Sequence, residues 1–509
     1  MTARHIPLLN RVPIGARRAM LVRMVGGALA CALALLAVID PFLGIAAMLT
    51  VVVAAIYTQS STFGVCAFLF VTYFELVTEY TGNTALSPIK VCGGALIVVA
   101  LLDLVTRSRH GVARVKPTWA RHPLVVTGLV AFVAIGMASS AWAVNTEQVR
   151  TLSERLVTDA LIFLAIGVFL VRRGQLFALS CTALWAGALS TVAGIAIGAE
   201  LGGRLMGTFT DPNEYAAAMV ASIGLGFGVM GAARTWIGRG AAMFGVALCS
   251  YGILASQSRS GLIAVLVATV VIVLSSRGRE RVRMLGASAL LVAGALAVLV
   301  MTPTGQGTLD RIVHGDSSGR SDLWRIAADM FRDQPVHGVG LGNFPAVANR
   351  YITIDTEHTE LINNSAPRTT HNSYLEIAAE LGLLGIVTFT IFAGGSVLLA
   401  ARGLRRARWL EDATAVRLGR GILAATLGML ASSAFLSGQY SELLWGLLAS
   451  CVAFHAWVAR QVRMAEVLGQ APGDVDGLSL EGLGASLGAG LLEEDEALRL
   501  DANPLAMHH

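Results

Sequence analysis

Runs of apolar residues, each about as long as a bilayer is thick, recur along nearly the whole chain, and no other feature constrains its fold as strongly. A hydrocarbon core of roughly 30 Å takes about 20 helical residues to cross. Stretches near that length lie at 21–39, 41–58, 62–79, 88–105, 124–143, 155–171, 176–199, 215–231, 241–256, 260–275, 284–302, 374–400, 421–436 and 441–458. Inside lipid every backbone N–H and C=O must be satisfied within its own segment, so such runs fold as helices. The expected fold class is an all-α polytopic membrane protein with about 12–14 transmembrane helices, the lower number applying if short early segments are half-spanning or merged. Hydrophobic residues at 55% and charged residues at 14%, with a mean hydropathy of +0.67, exclude a soluble globular domain.

The formal net charge of +5 is carried almost entirely by arginine, Lys90 and Lys116 being the only lysines. In a membrane protein that surplus reports topology, and no nucleic-acid partner is expected. With a cytoplasmic N-terminus, the inside segments are "RSRHGVARVKPTWARH", "RRGQ", "ARTWIGRG", "SRGRERVR" and "ARGLRRARWLEDATAVR", which are the basic ones, as the positive-inside rule requires. The same parity puts "ELGGRLMGTFTDPNE", "SQSRSG" and all of 303–372 outside. The chain then divides into a cytoplasmic N-terminus (1–20), transmembrane helices (21–302), a large external loop (303–372), C-terminal spans (373–458) and an acidic, glycine-rich cytoplasmic tail (459–509) expected to be disordered. The first apolar run follows Arg17, Arg18 and Arg23 without a small-residue cleavage site, which reads as a signal anchor. The six cysteines (Cys31, Cys66, Cys92, Cys181, Cys249 and Cys451) fall inside apolar runs and read as small core residues rather than a disulfide or zinc framework.

A loop as long as 303–372 is either functional or disordered. Its content favours function: in "GRSDLWRIAADMFRDQP", Leu323, Trp324, Ile326, Ala327, Met330 and Phe331 recur at helical spacing, Asp322 sits in the first turn and Pro335 is a stop. We expect an amphipathic helix lying on or near the membrane. Beyond it, "THNSYLEIAAELGLLG" opens the next span, and Ser373 followed three residues later by Glu376 is a capping-box pattern that starts a helix at about Ser373. His371 then stands just before a helix N-terminus, whose positive end disfavours imidazolium. A neutral imidazole there can accept a proton as a general base; the plainer alternative is that His371 and Asn372 only cap and turn the chain.

Arg204, Arg259 and Arg320 are all expected outside, each in a small-residue context ("GGRLMG", "SQSRSG", "SSGRSD"). Guanidinium groups at a membrane face need anionic partners, and their planar fork matches phosphate; snorkelling or pairing with Asp211 or Asp316 is the alternative. In "GTFTDPNEYAA", Asp211 or Asn213 reads as the cap of the next span, fixing the approach of Arg204, with a direct role for Asp211 as base partner or sugar-hydroxyl acceptor as the other reading. The loop histidines His314, His337 and His358 match no metal-ligand spacing, and neither a metal nor a cofactor is expected. Glu75, Glu79, Lys90 and Asp159 lie near span ends, where interfacial solvation accounts for them.

Together these residues resemble the O-antigen ligase/polymerase family of membrane glycosyltransferases. The family pattern of His, then Asn, Ser or Gln, nine residues, Gly, two residues and Gly is matched by His371, Asn372, Gly382 and Gly385. "GRSDLWRIAADMFRDQPVHGVGLGNF", "GRLMGTFTDPNEYAA" and "SQSRSG" are similar to the family's large loop and its two upstream arginine-bearing segments, so the likeness covers roughly 200–400. The resemblance implies a class C type membrane fold and an inverting, metal-independent transfer of a glycan from undecaprenyl diphosphate to an acceptor hydroxyl at the periplasmic face of a bacterial inner membrane. It implies His371 as the base and Arg204, Arg259 and Arg320 as diphosphate-binding groups, with Asp211, Asn213 and Asn372 in support. The acceptor stays open between lipid A core (a ligase), a lipid-linked repeat unit (a polymerase) and a protein (an O-oligosaccharyltransferase). Readings from other classes are a polysaccharide-related transporter, which calls for facing polar residues near mid-membrane, and a scaffold subunit of an export complex.

Overall fold

The computed structural model describes residues 41–76, 87–109, 116–301, 319–353 and 369–467. The expected span at 21–39, the tail beyond Val467, Glu79, His314 and His358 lie outside these residues. Helices α1 (Pro41–Tyr57), α2 (Ser61–Val71), α3 (Pro88–Arg109), α4 (Pro123–Ala138), α5 (Thr146–Phe169) and α6 (Arg173–Ile197) precede a two-stranded hairpin, β1 (Glu200–Leu201) and β2 (Arg204–Leu205). Then come α7 (Pro212–Ala232), α8 (Trp236–Ala255), α9 (Arg259–Leu274) and α10 (Gly278–Met301), followed by α11 (Arg320–Asp333) and the short α12 (Phe344–Val347). The described residues finish with α13 (Ser373–Phe389), which continues through a π turn into α14 (Gly395–Trp409), then α15 (Ala413–Ser432) and α16 (Glu442–Val467). Among the described residues seven helices are long and apolar enough to cross a bilayer, and three shorter apolar helices accompany them. This is an all-α, multi-pass membrane protein.

Local chemistry explains where the helices start. Ser60, Asn145, Asp211, Thr235, Ser258, Asn372 and Asp412 each sit at an N-cap and accept a backbone N–H of the first turn. Pro123 and Pro212 open α4 and α7, where the missing N–H costs nothing. One expected span is cut short: α2 ends at Val71 rather than near residue 79, with the Thr72 hydroxyl turned back onto the Leu69 carbonyl at 2.7 Å.

Large apolar side chains such as Leu189, Val192, Met243, Phe244, Leu384 and Val387 face outward and are exposed, as lipid-facing positions should be. Inside, small residues set the spacing. The α7–α15 seam is tight enough that a Cβ on Gly224 would stand 2.6 Å from the Ala425 nitrogen, and one on Gly421 would stand 2.9 Å from the Gly224 oxygen. α16 is buried nearly throughout, with Trp445 wholly enclosed. α11 forms over the expected residues, but its apolar face is covered by protein: Leu323, Ile326, Ala327 and Met330 pack with Val339, Phe344, Val347 and Ala379 of α13. The amphipathic pattern alone could not tell a lipid surface from a neighbouring helix.

At the end of the bundle opposite the hairpin, arginines close helix C-termini. Arg417 Nη1 donates to the Gly231 carbonyl (2.9 Å), Arg408 Nη2 to the Ser275 carbonyl (2.5 Å), and Arg460 to the Val171 carbonyl. The last carbonyls of a helix have no intrahelical donor and carry the negative end of its dipole, so guanidinium satisfies both needs. Glu280 braces this layer, 2.9 Å from the Nη1 of buried Arg420 and 3.7 Å from the Nε of Arg417. Arg420 holds the Glu280 carboxyl below the ordinary carboxylate range, the hydrogen bond being the largest cause. A lowered folded pKa means stability that is present above the unfolded value of 4.5 and lost as pH falls through the folded value. Glu280→Gln, which strands the buried Arg420 charge, is therefore expected to unfold at lower temperature than wild type at neutral pH. In a detergent thermal melt the gap should close as the pH falls below 4.5; a pH-independent gap would contradict this.

Candidate active site

The hairpin end of the bundle gathers the sequence-derived candidates into two clusters. In the first, Gly202 and Gly203, with φ of 60° and 71°, turn the hairpin that presents half-buried Arg204. Arg204 Nε donates to the Ser256 carbonyl (2.9 Å) at the end of α8, and Nη2 donates to Asn213 Oδ1 (2.9 Å). The same Oδ1 accepts from Ser258 Oγ (2.9 Å), and Ser258 caps α9, whose first residue is the exposed Arg259. Gln257, between the two serines, holds a left-handed φ of 51°, which aims the following residues back at the hairpin. Asn213 is thus the hub that brings Arg204 and the start of Arg259's helix together. Of the two capping candidates, Asp211 is the cap: its Oδ1 accepts Asn213 N (2.7 Å) and Glu214 N (3.2 Å).

The second cluster surrounds His371, which is half-buried and has φ of 50°. Ser373 and Glu376 do not form the expected capping box. Asn372 is the N-cap, its Oδ1 accepting from Tyr374 N and Leu375 N at 3.1 Å each, and Ser373 is the first helical residue. Ser373 instead ties α13 to the α15–α16 connection: its N–H donates to the Ser433 and Leu436 carbonyls, its hydroxyl donates to Leu436 O (2.8 Å), and it accepts from Gly438 N (2.9 Å). Glu376 does not reach back to the cap N–H. Its buried carboxylate accepts from Thr370 Oγ1 (3.0 Å), Ser437 Oγ (2.5 Å) and Gln439 Nε2 (2.7 Å). Arg320, first residue of α11, donates from Nη1 to the Phe435 carbonyl (3.3 Å) in the same connection, and Trp324 Nε1 donates to the Thr370 carbonyl (3.0 Å). His371 and Arg320 therefore share one scaffold, residues 433–439.

Of the motif glycines, Gly382 has a mechanical role. α13 breaks at Gly382 (φ 63°, ψ −155°), and segment 335–340 lies in the break: Leu383 N and Leu384 N donate to the Pro335 and Val336 carbonyls, while Val339 N and Gly340 N donate to the Ala379 and Glu380 carbonyls. A Cβ at Gly382 would meet the Val336 carbonyl at 2.4 Å. Glu380, also buried, fixes the next turn by accepting Gly342 N (2.8 Å) and Phe344 N (3.1 Å). Asn343 anchors the loop on the α4–α5 connection, accepting Asn145 N (2.7 Å) and donating to Asn145 O (3.2 Å).

Between the clusters lies a cavity of ~140 Å³ bordered by Glu75, Arg155, Glu214, Tyr440 and Glu442, with Leu436–Gly438 on the His371 side. The His371 imidazole and the Arg204, Arg259 and Arg320 guanidinium groups are not part of its lining. Arg155 Nη2 lies 3.7 Å from Glu442 Oε1. Interfacial solvation does not account for Asp159, one turn further along α5: it is 1% exposed and neither carboxylate oxygen has a hydrogen-bond partner among the described residues. The amino-acid pattern does not reveal this cavity because its three carboxylates, Glu75, Glu214 and Glu442, come from segments far apart in the chain. Among the described residues no three His, Cys, Asp or Glu side chains are arranged to hold a metal ion.

Residues 244–390 match the family model described as O-Antigen ligase. The matched segment takes in Arg259, Arg320, His371, Asn372, Gly382 and Gly385, and it supports the O-antigen ligase/polymerase family. No curated protein matches the chain.

Removing Glu380 should release the loop it clamps, because two buried N–H groups lose their acceptor at about 1–3 kcal/mol each. Hydrogen exchange of Gly342 and Phe344 is expected to rise sharply in Glu380→Ala and less in Glu380→Gln. Unchanged protection in both variants would mean that the clamp contributes nothing.

Proposed function

Taking as premise a multi-pass membrane protein with an O-antigen ligase segment at 244–390, we propose that it transfers a glycan from undecaprenyl diphosphate to an acceptor hydroxyl. The observation that carries this reading is the setting of His371, at the N-terminus of α13 and on the same scaffold that receives Arg320. In the reaction the anomeric C–O bond to the diphosphate breaks, the acceptor oxygen bonds to the anomeric carbon from the opposite face, and its proton passes to the His371 imidazole. The helix N-terminus favours the neutral imidazole that this step requires. Arg204, Arg259 and Arg320 bind the diphosphate and stabilise the charge that builds on it as it leaves, so that no metal is needed for this purpose. Asp211, Asn213 and Asn372 hold these groups through helix caps and, for Asn213, through Arg204 itself.

The arginine layer at the opposite end supports an orientation with both termini cytoplasmic and the site at the periplasmic face of a bacterial inner membrane. The class C type fold, and the assignment of 303–372 to the external side, belong to the same reading. Ligase, polymerase and protein O-oligosaccharyltransferase differ only in the acceptor. A transporter is the second reading, favoured by the buried Asp159 and the carboxylate-lined cavity.

The test is reconstitution with purified undecaprenyl-diphosphate glycan and candidate acceptors in the presence of chelator. Wild type should form product, and His371→Ala should lose about 10²–10⁴-fold in rate. The acceptor that works defines the subclass. A requirement for a divalent ion would overturn the role given to the arginines, and glycan crossing liposomes without covalent transfer would favour the transporter.

A further inference from the structure

His371, at a φ of 50°, occupies a left-handed backbone region that residues bearing a Cβ adopt only at a cost, and such conformations persist only where the surroundings enforce them. Enforcement comes from residue 370. The Thr370 hydroxyl is fully buried; it accepts Asn372 N–H (3.1 Å) and lies 2.9 Å from the Asn372 carbonyl and 3.0 Å from Glu376 Oε2. Its single proton can serve one of these acceptors at a time, and a carboxylate is the stronger. Trp324 Nε1 holds the Thr370 carbonyl from the other side. The two peptide units flanking His371 are therefore stapled, and the staple ends on Glu376.

Glu376 has a second set of partners. Ser437 Oγ and Gln439 Nε2 donate to it, and both belong to the connection whose Phe435 carbonyl receives Arg320. One buried carboxylate thus joins the backbone that aims the imidazole to the backbone that seats a guanidinium group.

We propose that Glu376, acting through Thr370, is a positioning residue that sets His371 in register with Arg320 for glycan transfer. The assignment rests on the catalytic reading of His371 given above. Glu376 touches neither donor nor acceptor; it sets the direction of the base, and the Thr370 hydroxyl transmits that direction.

The experiment uses the full-length protein in nanodiscs with undecaprenyl-diphosphate glycan as the probe, comparing Thr370→Val, Thr370→Ser, Glu376→Gln and His371→Ala. Thr370→Val keeps the shape and deletes the hydroxyl, whereas Glu376→Gln removes the charge and puts an N–H donor where Thr370 and Ser437 now donate, so that both hydroxyls must reverse and Thr370 is left to donate to the Asn372 carbonyl. Both should lower kcat about 10- to 100-fold, the scale expected when a reacting group is misplaced by an ångström or less. The donor KM should stay near wild type, and the acidic limb of the pH–rate profile should move. Thr370→Ser should restore kcat and the profile. If Glu376→Gln does not accumulate, the Thr370 pair carries the comparison. Should Thr370→Val and Glu376→Gln lower only the melting temperature, with kcat and pH profile per folded molecule as in wild type while His371→Ala is inactive, the positioning role alone is overturned. Wild-type activity in His371→Ala would overturn the catalytic reading first, and the positioning role with it.

Discussion

Helix ends in an apolar surrounding must find hydrogen-bond partners, and most of what is distinctive in this molecule answers that demand. A helix leaves four N–H groups unpaired at one end and four carbonyls at the other, and a bilayer core offers no water to take them up. At the end away from the hairpin, arginines from α14, α15 and α16 reach the carbonyls of Ser275, Gly231 and Val171. At the hairpin end, Asp211, Ser258 and Asn372 take up N–H groups, while Arg204 and Arg320 take up the Ser256 and Phe435 carbonyls. Candidate site residues and capping residues are thus drawn from one set.

That overlap orients the candidate residues: the Arg204 and Arg320 guanidinium groups are each tied to a backbone carbonyl of the protein itself. The two buried glutamates of α13 extend the logic to loops. Glu376 and Glu380 stand one helical turn apart, each accepting from a segment distant in the chain: Ser437 and Gln439 in one case, Gly342 and Phe344 in the other. The break at Gly382 lets segment 335–340 bond directly to α13, so a single helix organises both the large loop and the α15–α16 connection.

Much of this was legible residue by residue. The apolar runs located the helices, the bounds of α11 followed from its apolar spacing, and the Asp-Pro-Asn turn marked the start of α7. Other assignments required the assembled chain. Whether Asp211 or Asn213 caps α7 cannot be read from a turn that offers both; Arg204 and Ser258 engage Asn213, leaving the cap to Asp211. Ser373 and Glu376 have capping-box spacing, yet the α15–α16 connection lies close enough to claim both side chains. Along the chain Glu75 stands only as a charge near a span end; the fold brings it to one cavity with Arg155, Glu214 and Glu442.

What the amino-acid order carries alone is the membrane class, the approximate extent of most of the described helices and the positions of the arginines and histidine at their ends. These are local properties, because apolar length, capping propensity and turn formation depend on residues within a few positions of one another. Only the tertiary structure decided which donor meets which acceptor. Such partnerships join segments as far apart as Arg320 and Phe435 or Asn145 and Asn343, and a hydrogen bond exists only where folding has brought its two atoms within about 3 Å.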